Sequence, residues 1–408
     1  MKKSLLFVMP SLASGGGERS LVNLLSQIDY SLYEVDLFLF NHEGLFMEFV
    51  PKEVTILPIP ESYYRFAQPL AVSAGSFLIR GDWSLARSRL LFSLKNRLNR
   101  NMSMREQYNW KYISASIGLL QKKYDAAIGF LEKTSTYFCV EKVEALQKIG
   151  WVHIDYDELG MDPDFDITYF EQLDHIVTVS EECAAVLKKR FPGQQHKVQV
   201  IHNIVSPTVI RQMAEENLED VYNREGDEIV LLTVGRLHVQ KGYELAIEAC
   251  RLLVEQGYNI RWYVIGEGEE RAKLTELIKA SRLERHFKLL GLKSNPYPYI
   301  KQADLYVQTS RFEGKSIAID EAKILKKPIV ITRFSTAADQ IREGQEGLIV
   351  EMHPEAIAKG IGKLIHNREL RIRMANHLAG AQLGTEAEIY QLYSLLNREF
   401  IHDKTEAL

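Results

Sequence analysis

Short runs rich in apolar and β-branched residues alternate with longer stretches of helical spacing along the chain, and the alternation starts afresh in the second half. Such a pattern has few ways to bury its apolar residues. Parallel strands need crossover helices, and those helices cover both faces of the sheet. The first half predicts strands at Leu5 to Met9, Val35 to Phe40, Val54 to Pro58, Ala126 to Phe130, Gly150 to Ile154, Ile176 to Val179 and Val198 to His202. The second half predicts them at Ile229 to Val234, Arg261 to Ile265, Lys288 to Leu290, Leu305 to Gln308, Ile329 to Thr332 and Leu348 to Val350. Between the halves, residues 214–227 are polar and lack a buried-strand pattern, which sets a boundary near residues 206–226. The expected fold class is α/β: two Rossmann-like doubly wound parallel-sheet domains facing a cleft, residues 1–206 and 207–385. Residues 386–408 are expected to hold a terminal helix, a candidate for crossing back to the first domain.

A length of 408 residues supports two cores of ordinary size. Cys139, Cys183 and Cys250 are widely spaced, so neither a disulfide framework nor a zinc site is expected, and a reducing cytoplasm fits. The opening Met1-Lys-Lys-Ser-Leu-Leu-Phe-Val-Met-Pro10 has the charge of a signal peptide, but its apolar run stops at Pro10 and reads as a first buried strand. No apolar run approaches the roughly 18 residues of a transmembrane helix, so a soluble or peripheral protein is expected. A net charge of -4 gives no general attraction to nucleic acid or membranes. One segment departs from that balance. Residues 76–112 hold Arg80, Arg87, Arg89, Lys95, Arg97, Arg100, Arg105 and Lys111 against Asp82 and Glu106, interleaved with Trp83, Leu90, Leu91, Phe92, Leu94, Leu98, Met102 and Trp110. This insertion either lies at an anionic membrane surface or packs on its own domain with a solvated basic face. No nucleic-acid-binding motif accompanies it.

The chemistry concentrates in Arg311-Phe-Glu-Gly-Lys-Ser-Ile-Ala-Ile-Asp-Glu321-Ala322, where Glu313 and Glu321 flank a loop-to-helix junction. Gly314 eases a turn, and Ser316 is placed to cap a helix with apolar Ile317, Ile319, Ala322 and Ile324. A nucleotide-sugar could span this unit, with the sugar at Glu313, the phosphates on the amides of the helix start and ribose hydroxyls on Glu321. Two glutamates taken alone are more often a solvated pair beside a surface helix. Their company tips the balance. The strand Leu231-Leu-Thr-Val234 runs into Gly235-Arg236-Leu-His-Val-Gln-Lys241-Gly242, where Arg236 and Lys241 could stabilise a leaving nucleoside diphosphate in the place of a metal.

Gly266-Glu-Gly268 follows another strand without the dinucleotide spacing and reads as a tight turn lining the cleft. Ser14-Gly15-Gly16-Gly17-Glu18-Arg19 precedes a helix expected at Ser20 to Ile28. It is either a plain loop or one whose glycines let the backbone approach a phosphate or sugar. His153 ends a strand where cleft residues belong, although a lone histidine there is often structural. Asp155-Tyr-Asp157 and Asp162-Pro-Asp164-Phe-Asp166 have a metal-nucleotide spacing that arises easily by chance, and the second suits a helix cap, so no metal site is expected. No Gly-x-Ser-x-Gly, Walker loop or His-Glu-x-x-His occurs.

Taken in order, Gly15-Gly-Gly-Glu-Arg19, His153, Asn203 in Val-Ile-His-Asn, Gly235-Arg236 with Lys241, Gly266-Glu-Gly268, Glu313 and Glu321 make the chain resemble the GT-B glycosyltransferases of family 4, from Met1 to about residue 370. The wording of Glu313 to Leu325, with Trp151-Val-His-Ile-Asp-Tyr156, looks most like bacterial members that build capsule, exopolysaccharide or wall glycans. The resemblance implies an acceptor-side N-terminal domain and a nucleotide-sugar-binding C-terminal domain. It implies that Arg236 and Lys241 hold the diphosphate, Glu321 the ribose and Glu313 the donor sugar. His153 would touch the donor sugar and Gly16 would lie near the diphosphate, while Gly235, Gly266, Gly314, Ser316 and the amides of Ile317 and Ala318 complete the donor site. Glu313, Arg236, Lys241 and His153 are the expected catalytic residues. Many members have Phe-Gly where this chain has Lys315-Ser316, which adds a positive charge.

The reading that follows is a retaining hexosyltransferase, metal-independent and without a cofactor. It would move a hexose from a nucleoside diphosphate sugar, a UDP-sugar first, to a hydroxyl of a lipid-linked glycan in bacterial surface polysaccharide synthesis. Its place would be the cytoplasm, at the inner face of the membrane, with residues 76–112 touching lipid or acceptor. Two other readings stand beside it: a non-catalytic GT-B protein that binds glycan or steadies a partner, and a nucleotide-sugar epimerase.

Overall fold

The computed structural model describes residues 2–397 apart from 14, 99–100, 216–220, 223, 225 and 294. Arg100, residues 216–220 of the expected domain boundary and the expected terminal helix beyond residue 397 therefore lie outside the described residues, as do the side chains of Leu98 and Met102. The chain divides into two compact units. The described residues within Met1–Ala13, Leu24–His202 and Ala387–Leu408 form the first, and those within Ser14–Asn23 and Asn203–Glu386 form the second.

The first unit is built on β1 (Lys3–Met9), β2 (Tyr33–Leu39), β3 (Thr55–Ile56), β4 (Tyr124–Gly129), β5 (Ala145–Val152), β6 (His175–Thr178) and β7 (Val198–Val200). They form one parallel sheet in the order β3-β2-β1-β4-β5-β6-β7. β1 lies inside the sheet, and its Leu5 to Met9 are buried without alternation, as a strand covered on both faces must be. Leu5 stands opposite Val35 on one side and Ala126 on the other. The helix Ile389–Asn397 also belongs to this unit. It buries Leu392, Leu395 and Leu396, and the Leu396 carbonyl accepts from Lys3 Nζ at 2.7 Å. The Tyr393 ring stacks on Tyr33 at 5.0 Å, and its hydroxyl accepts from the Asp29 N–H at 2.7 Å.

The basic insertion folds as the helices Leu70–Ile79, Trp83–Leu98 and Met102–Ser114. Its inner side is ordinary core, with Phe77 and Ala86 packed on Phe66, and Trp110 fully buried in the neighbouring cluster. Arg89 turns inward too. Its guanidinium donates to the carbonyls of Phe66 and Gln68 and lies over the Phe66 and Phe92 rings.

The second unit repeats the scheme with β8 (Ile229–Val234), β9 (Ile260–Ile265), β10 (Phe287–Leu289), β11 (Leu305–Gln308), β12 (Ile329–Thr332) and β13 (Gly347–Val350), again parallel, in the order β10-β9-β8-β11-β12-β13. Alternate residues of the same strands feed two cores. Leu231, Trp262, Val264, Leu305 and Val307 face one way, and Val230, Leu232, Tyr263, Ile265 and Tyr306 face the other. The helix Tyr243–Glu255 covers the first of these faces with Ala246, Ile247, Cys250 and Leu253. Each observed strand overlaps an expected one, and the two Rossmann-like units are the fold class that the alternation requires. Strand order reverses beside β1 and β4 in one sheet and beside β8 and β11 in the other. Loops leaving the carboxyl ends of such neighbouring strands diverge and open a crevice where ligands bind.

Truncating Leu395 to Ala should lower the unfolding free energy by about 3 kcal/mol, because a buried leucine loses its contacts and leaves a cavity. Truncating Tyr390, exposed on the same helix, should cost under about 0.5 kcal/mol. Urea denaturation midpoints of the two variants check the contrast.

Candidate functional site

Two loops of the second unit leave the strands that flank its reversal. After β8 the chain passes through Gly235, Arg236 and Leu237 to a short turn, Val239–Lys241, and Gly242 in the left-handed region (φ 59°) starts the next helix. A Cβ on Gly242 would come within 2.3 Å of the Thr309 carbonyl oxygen, so only glycine lets this loop lie against the one after β11. The Thr309 hydroxyl donates to the Lys241 carbonyl at 2.9 Å, and the Arg311 N–H donates to Gln240 O at 2.7 Å.

Glu313 stands where the loops meet and is only 6% exposed. Its Oε1 accepts from Lys241 Nζ at 2.5 Å, Ser310 Oγ at 2.5 Å and Gln308 Nε2 at 2.9 Å. Pairing and hydrogen bonding together offset the desolvation of the two charges. Gly314 is buried in the turn that follows, and the Glu313 carbonyl before it accepts from Thr336 Oγ1 at 3.1 Å. Ser316 precedes the helix Ile317–Ile324 but does not cap it, contrary to expectation. Gln308 competes for the hydroxyl, with Nε2 3.1 Å from Ser316 Oγ, and the Ser316 N–H donates to Gln340 Oε1. The first-turn amides of Ile317 and Ala318 have no intrahelical acceptor, as at any helix start.

Glu321 lies inside that helix and is fully buried. Its Oε1 accepts from Tyr297 Oη at 2.9 Å and pairs with Arg19, which the residues 14–23 bring into this unit. Burial works against the Arg19 charge, but the neighbouring Glu321 outweighs it and holds the guanidinium pKa above its usual value. Burial, then the Glu321 charge, pushes the Tyr297 hydroxyl up as well. The other oxygen, Oε2, is buried without a partner. Leaving a carboxylate oxygen so costs about 1–3 kcal/mol or more, which a hydroxyl donor would relieve.

The remaining expected residues are placed differently. Gly16 and Gly17 are not loop: the helix runs Gly16–Leu25, starting four residues before Ser20. A first turn needs no side chains for its bonds, and Glu18 there complements the helix dipole. Nothing lies within 4 Å of where a Gly16 Cβ would stand. Gly266 and Gly268 support the loop from beneath, since a Cβ on either would meet Gly235 O at 1.9 Å or Leu237 O at 2.2 Å. Gly235 itself packs on Lys241, whose Cε would be 3.3 Å from an added Cβ. Arg236 does not join the Lys241 and Glu313 cluster. It is exposed and its guanidinium lies 3.3 Å from Glu269, which His238 also approaches at 3.3 Å.

His153 belongs to the first unit, just past β5. Its ring lies 4.9 Å from Phe130 and nearly parallel to Trp151 at 6.0 Å, and its Nε2 is buried without a partner. Burial among these rings pulls the imidazole pKa down to about 3, so it is neutral at physiological pH. The His153 N–H donates to Glu132 Oε2 at 3.2 Å, and burial raises the Glu132 pKa. Next to it Lys133 holds φ 65° and ψ -120°, a conformation costly for any residue but glycine.

Sequence reasoning passed over Gln308, Ser310, Gln340, Tyr297, Arg19 and Glu132 as site residues. Gln308 and Glu132 end or follow the reversal strands β11 and β4, and that position was a usable signal. Gln340 and Tyr297 have no local signal at all.

Two Rossmann-like units with parallel sheets of seven and six strands make the GT-B fold. Residues 214–378, all within the second unit, match the family described as Glycosyl transferases group 1. An uncharacterized glycosyltransferase of Methanocaldococcus jannaschii is 28% identical over 42% of this chain and 43% of its own length. The capsular polysaccharide biosynthesis glycosyltransferase CapM of Staphylococcus aureus is 29% identical over 39% of this chain and 43% of its own length. These matches thus span less than half of either relative. Among solved structures, a TarM variant of S. aureus, in complex with Fondaparinux, alpha-GlcNAc-glycerol and UDP, superposes with a TM-score of 0.68 at 14% identity, covering 97% of this chain and 100% of that one.

The depressed His153 pKa predicts a pH effect with a definite sign. The unfolded histidine, near pKa 6.5, takes up a proton that the folded one refuses, so stability declines as pH falls below about 6.5, by at most about 1.4 kcal/mol per unit. Denaturation midpoints at neutral and mildly acidic pH should diverge in the natural chain and less in His153→Asn.

Proposed function

We propose that this chain is a retaining glycosyltransferase that moves a hexose from a nucleoside diphosphate sugar, a UDP-sugar first, to a hydroxyl of a lipid-linked glycan in bacterial surface polysaccharide synthesis. Its place is the cytoplasm, at the inner face of the membrane. The observation that carries this reading is the orphaned, buried Oε2 of Glu321 in the same short helix whose start adjoins Glu313. A vicinal ribose hydroxyl is the donor that such an oxygen lacks, and the helix start then faces the diphosphate. The names of CapM and of the UDP complex of TarM support the surface-glycan and UDP parts.

In this reaction the bond between the sugar C1 and the diphosphate oxygen breaks and its electron pair stays on that oxygen. The acceptor hydroxyl oxygen bonds C1 from the same face and passes its proton to the departing phosphate. Lys241, released in part from Glu313, Arg236 from Glu269, and the amides of Ile317 and Ala318 stabilise the growing negative charge without a divalent metal. Glu313 then accepts from hydroxyls of the donor sugar. Within the first unit, the neutral imidazole of His153 suits a sugar hydroxyl better than a phosphate.

The test incubates the purified protein with a panel of nucleotide-sugars and crude membrane acceptor in EDTA, and measures released nucleoside diphosphate. One donor should react, with the anomeric configuration retained in the product by NMR. Lys241→Ala should lower kcat about 100-fold or more. Glu321→Gln should chiefly raise the donor KM, by about tenfold. Donor binding without turnover would favour a non-catalytic protein, and a changed sugar without acceptor an epimerase.

A further inference from the structure

We propose that the helical hairpin Leu70–Ile79 and Trp83–Leu98 of the first unit docks the protein on an anionic lipid bilayer, through the outer stripe Trp83, Arg87, Leu90, Leu94 and Arg97 and the adjoining Ile79. Positions 83, 87, 90, 94 and 97 recur at intervals of four and three, which is one face of a helix. That face is turned to solvent: Trp83 is 70% exposed, Leu90 52% and Leu94 54%, and Ile79 at the turn is 89% exposed. The opposite side already supplies the core through Phe77 and Ala86, so folding leaves these apolar residues uncovered. Solvated helix faces carry scattered apolar residues, whereas this one gathers three of them with two arginines in one stripe.

Charge identifies the occupant. No Asp or Glu occurs between Trp83 and Leu98, while Arg87, Lys95 and Arg97 are exposed there and Arg89 is spent inside the unit. A second copy seated on this face would oppose arginine to arginine. Anionic headgroups would instead meet the arginines as Trp83, Leu90 and Leu94 sink to the acyl boundary. With a net charge of -4 the chain as a whole is not drawn to such a surface, so the attraction is confined to the hairpin. Among the described residues no helix is long and apolar enough to cross a membrane, so the contact lies in the plane of the bilayer. The inference is independent of the donor-site reading, because lipid is bound with no nucleotide-sugar present.

The chain carries its own reporter. Of its four tryptophans, Trp110, Trp151 and Trp262 are fully buried and Trp83 is exposed. The full chain is titrated with phosphatidylcholine vesicles, with and without phosphatidylglycerol, following tryptophan emission and co-sedimentation at low and high salt. Anionic vesicles should shift the emission to the blue and sediment the protein, less so at high salt. The shift should vanish in Trp83→Phe, and binding should weaken about tenfold or more in Leu90→Ser with Leu94→Ser and in Arg87→Glu with Arg97→Glu, with unchanged circular dichroism. Absence of binding, equal binding to neutral vesicles, or binding indifferent to these substitutions overturns the proposal. Self-association in sedimentation velocity that the same substitutions abolish would give the face to a second copy instead.

Discussion

One carboxylate oxygen, Glu313 Oε1, draws a lysine from the loop after β8 and a serine and a glutamine from around the end of β11 into one cluster. The two loops start from neighbouring strands whose connections run in opposite directions, and nothing in the sheet itself would hold their tips together. The shared acceptor does, and glycines make the approach possible. Gly242 lets one loop lie on the other, and Gly266 and Gly268 let the backbone beneath rise against Gly235 and Leu237. The geometry of the two loops is thus stored in an internal ion pair. In the proposed reaction, an arriving diphosphate competes with Glu313 for Lys241 and frees that carboxylate for the sugar.

The first unit has the same reversal of strand order but fills it with different chemistry. Beside β4 and β5 lie the Phe130 and Trp151 rings, and His153 and Glu132 there are biased toward their neutral forms, while Lys133 pairs with Glu106. The second unit keeps formal charges there, Lys241 against Glu313 and Arg19 against Glu321. Neutral groups discriminate hydroxyl-bearing ligands, and paired charges suit phosphate. Desolvation favours the neutral histidine, since an uncompensated charge among Phe130 and Trp151 would be expelled.

Strand positions were legible because parallel strands buried on both faces are continuous apolar runs, such as Leu5 to Met9 and Ile329 to Thr332, and helices between them keep their own period. The placement of Lys241, Glu313 and Glu321 was legible for the same reason: each residue sits at a fixed offset from a recognisable strand or helix start. Two local rules misled. Glycine signalled loop at Gly16 and Gly17, where a helix N-terminus accepted it, and Ser316 signalled a cap, where Gln308 held its hydroxyl. Partners that are distant in sequence left no trace. Tyr297 and Arg19 converge on Glu321 from 24 and 302 residues away, and no spacing rule reaches that far. The basic insertion read as two alternatives, and its helices show why: one face is core and the other is not.

The first unit draws on segments far apart in sequence. Its inner strand β1 begins at Lys3, yet the helix that buries Leu395, and whose last turn Lys3 grips, is the final one described. On a ribosome, where residues emerge in order, the second unit is available to fold while the first still lacks that helix. The apolar surface that Leu392, Leu395 and Leu396 cover stays open until residues 389–397 have emerged. Nascent chains stalled before residue 387 would therefore present a completed second unit beside an unfinished first one, a species suited to chaperone capture.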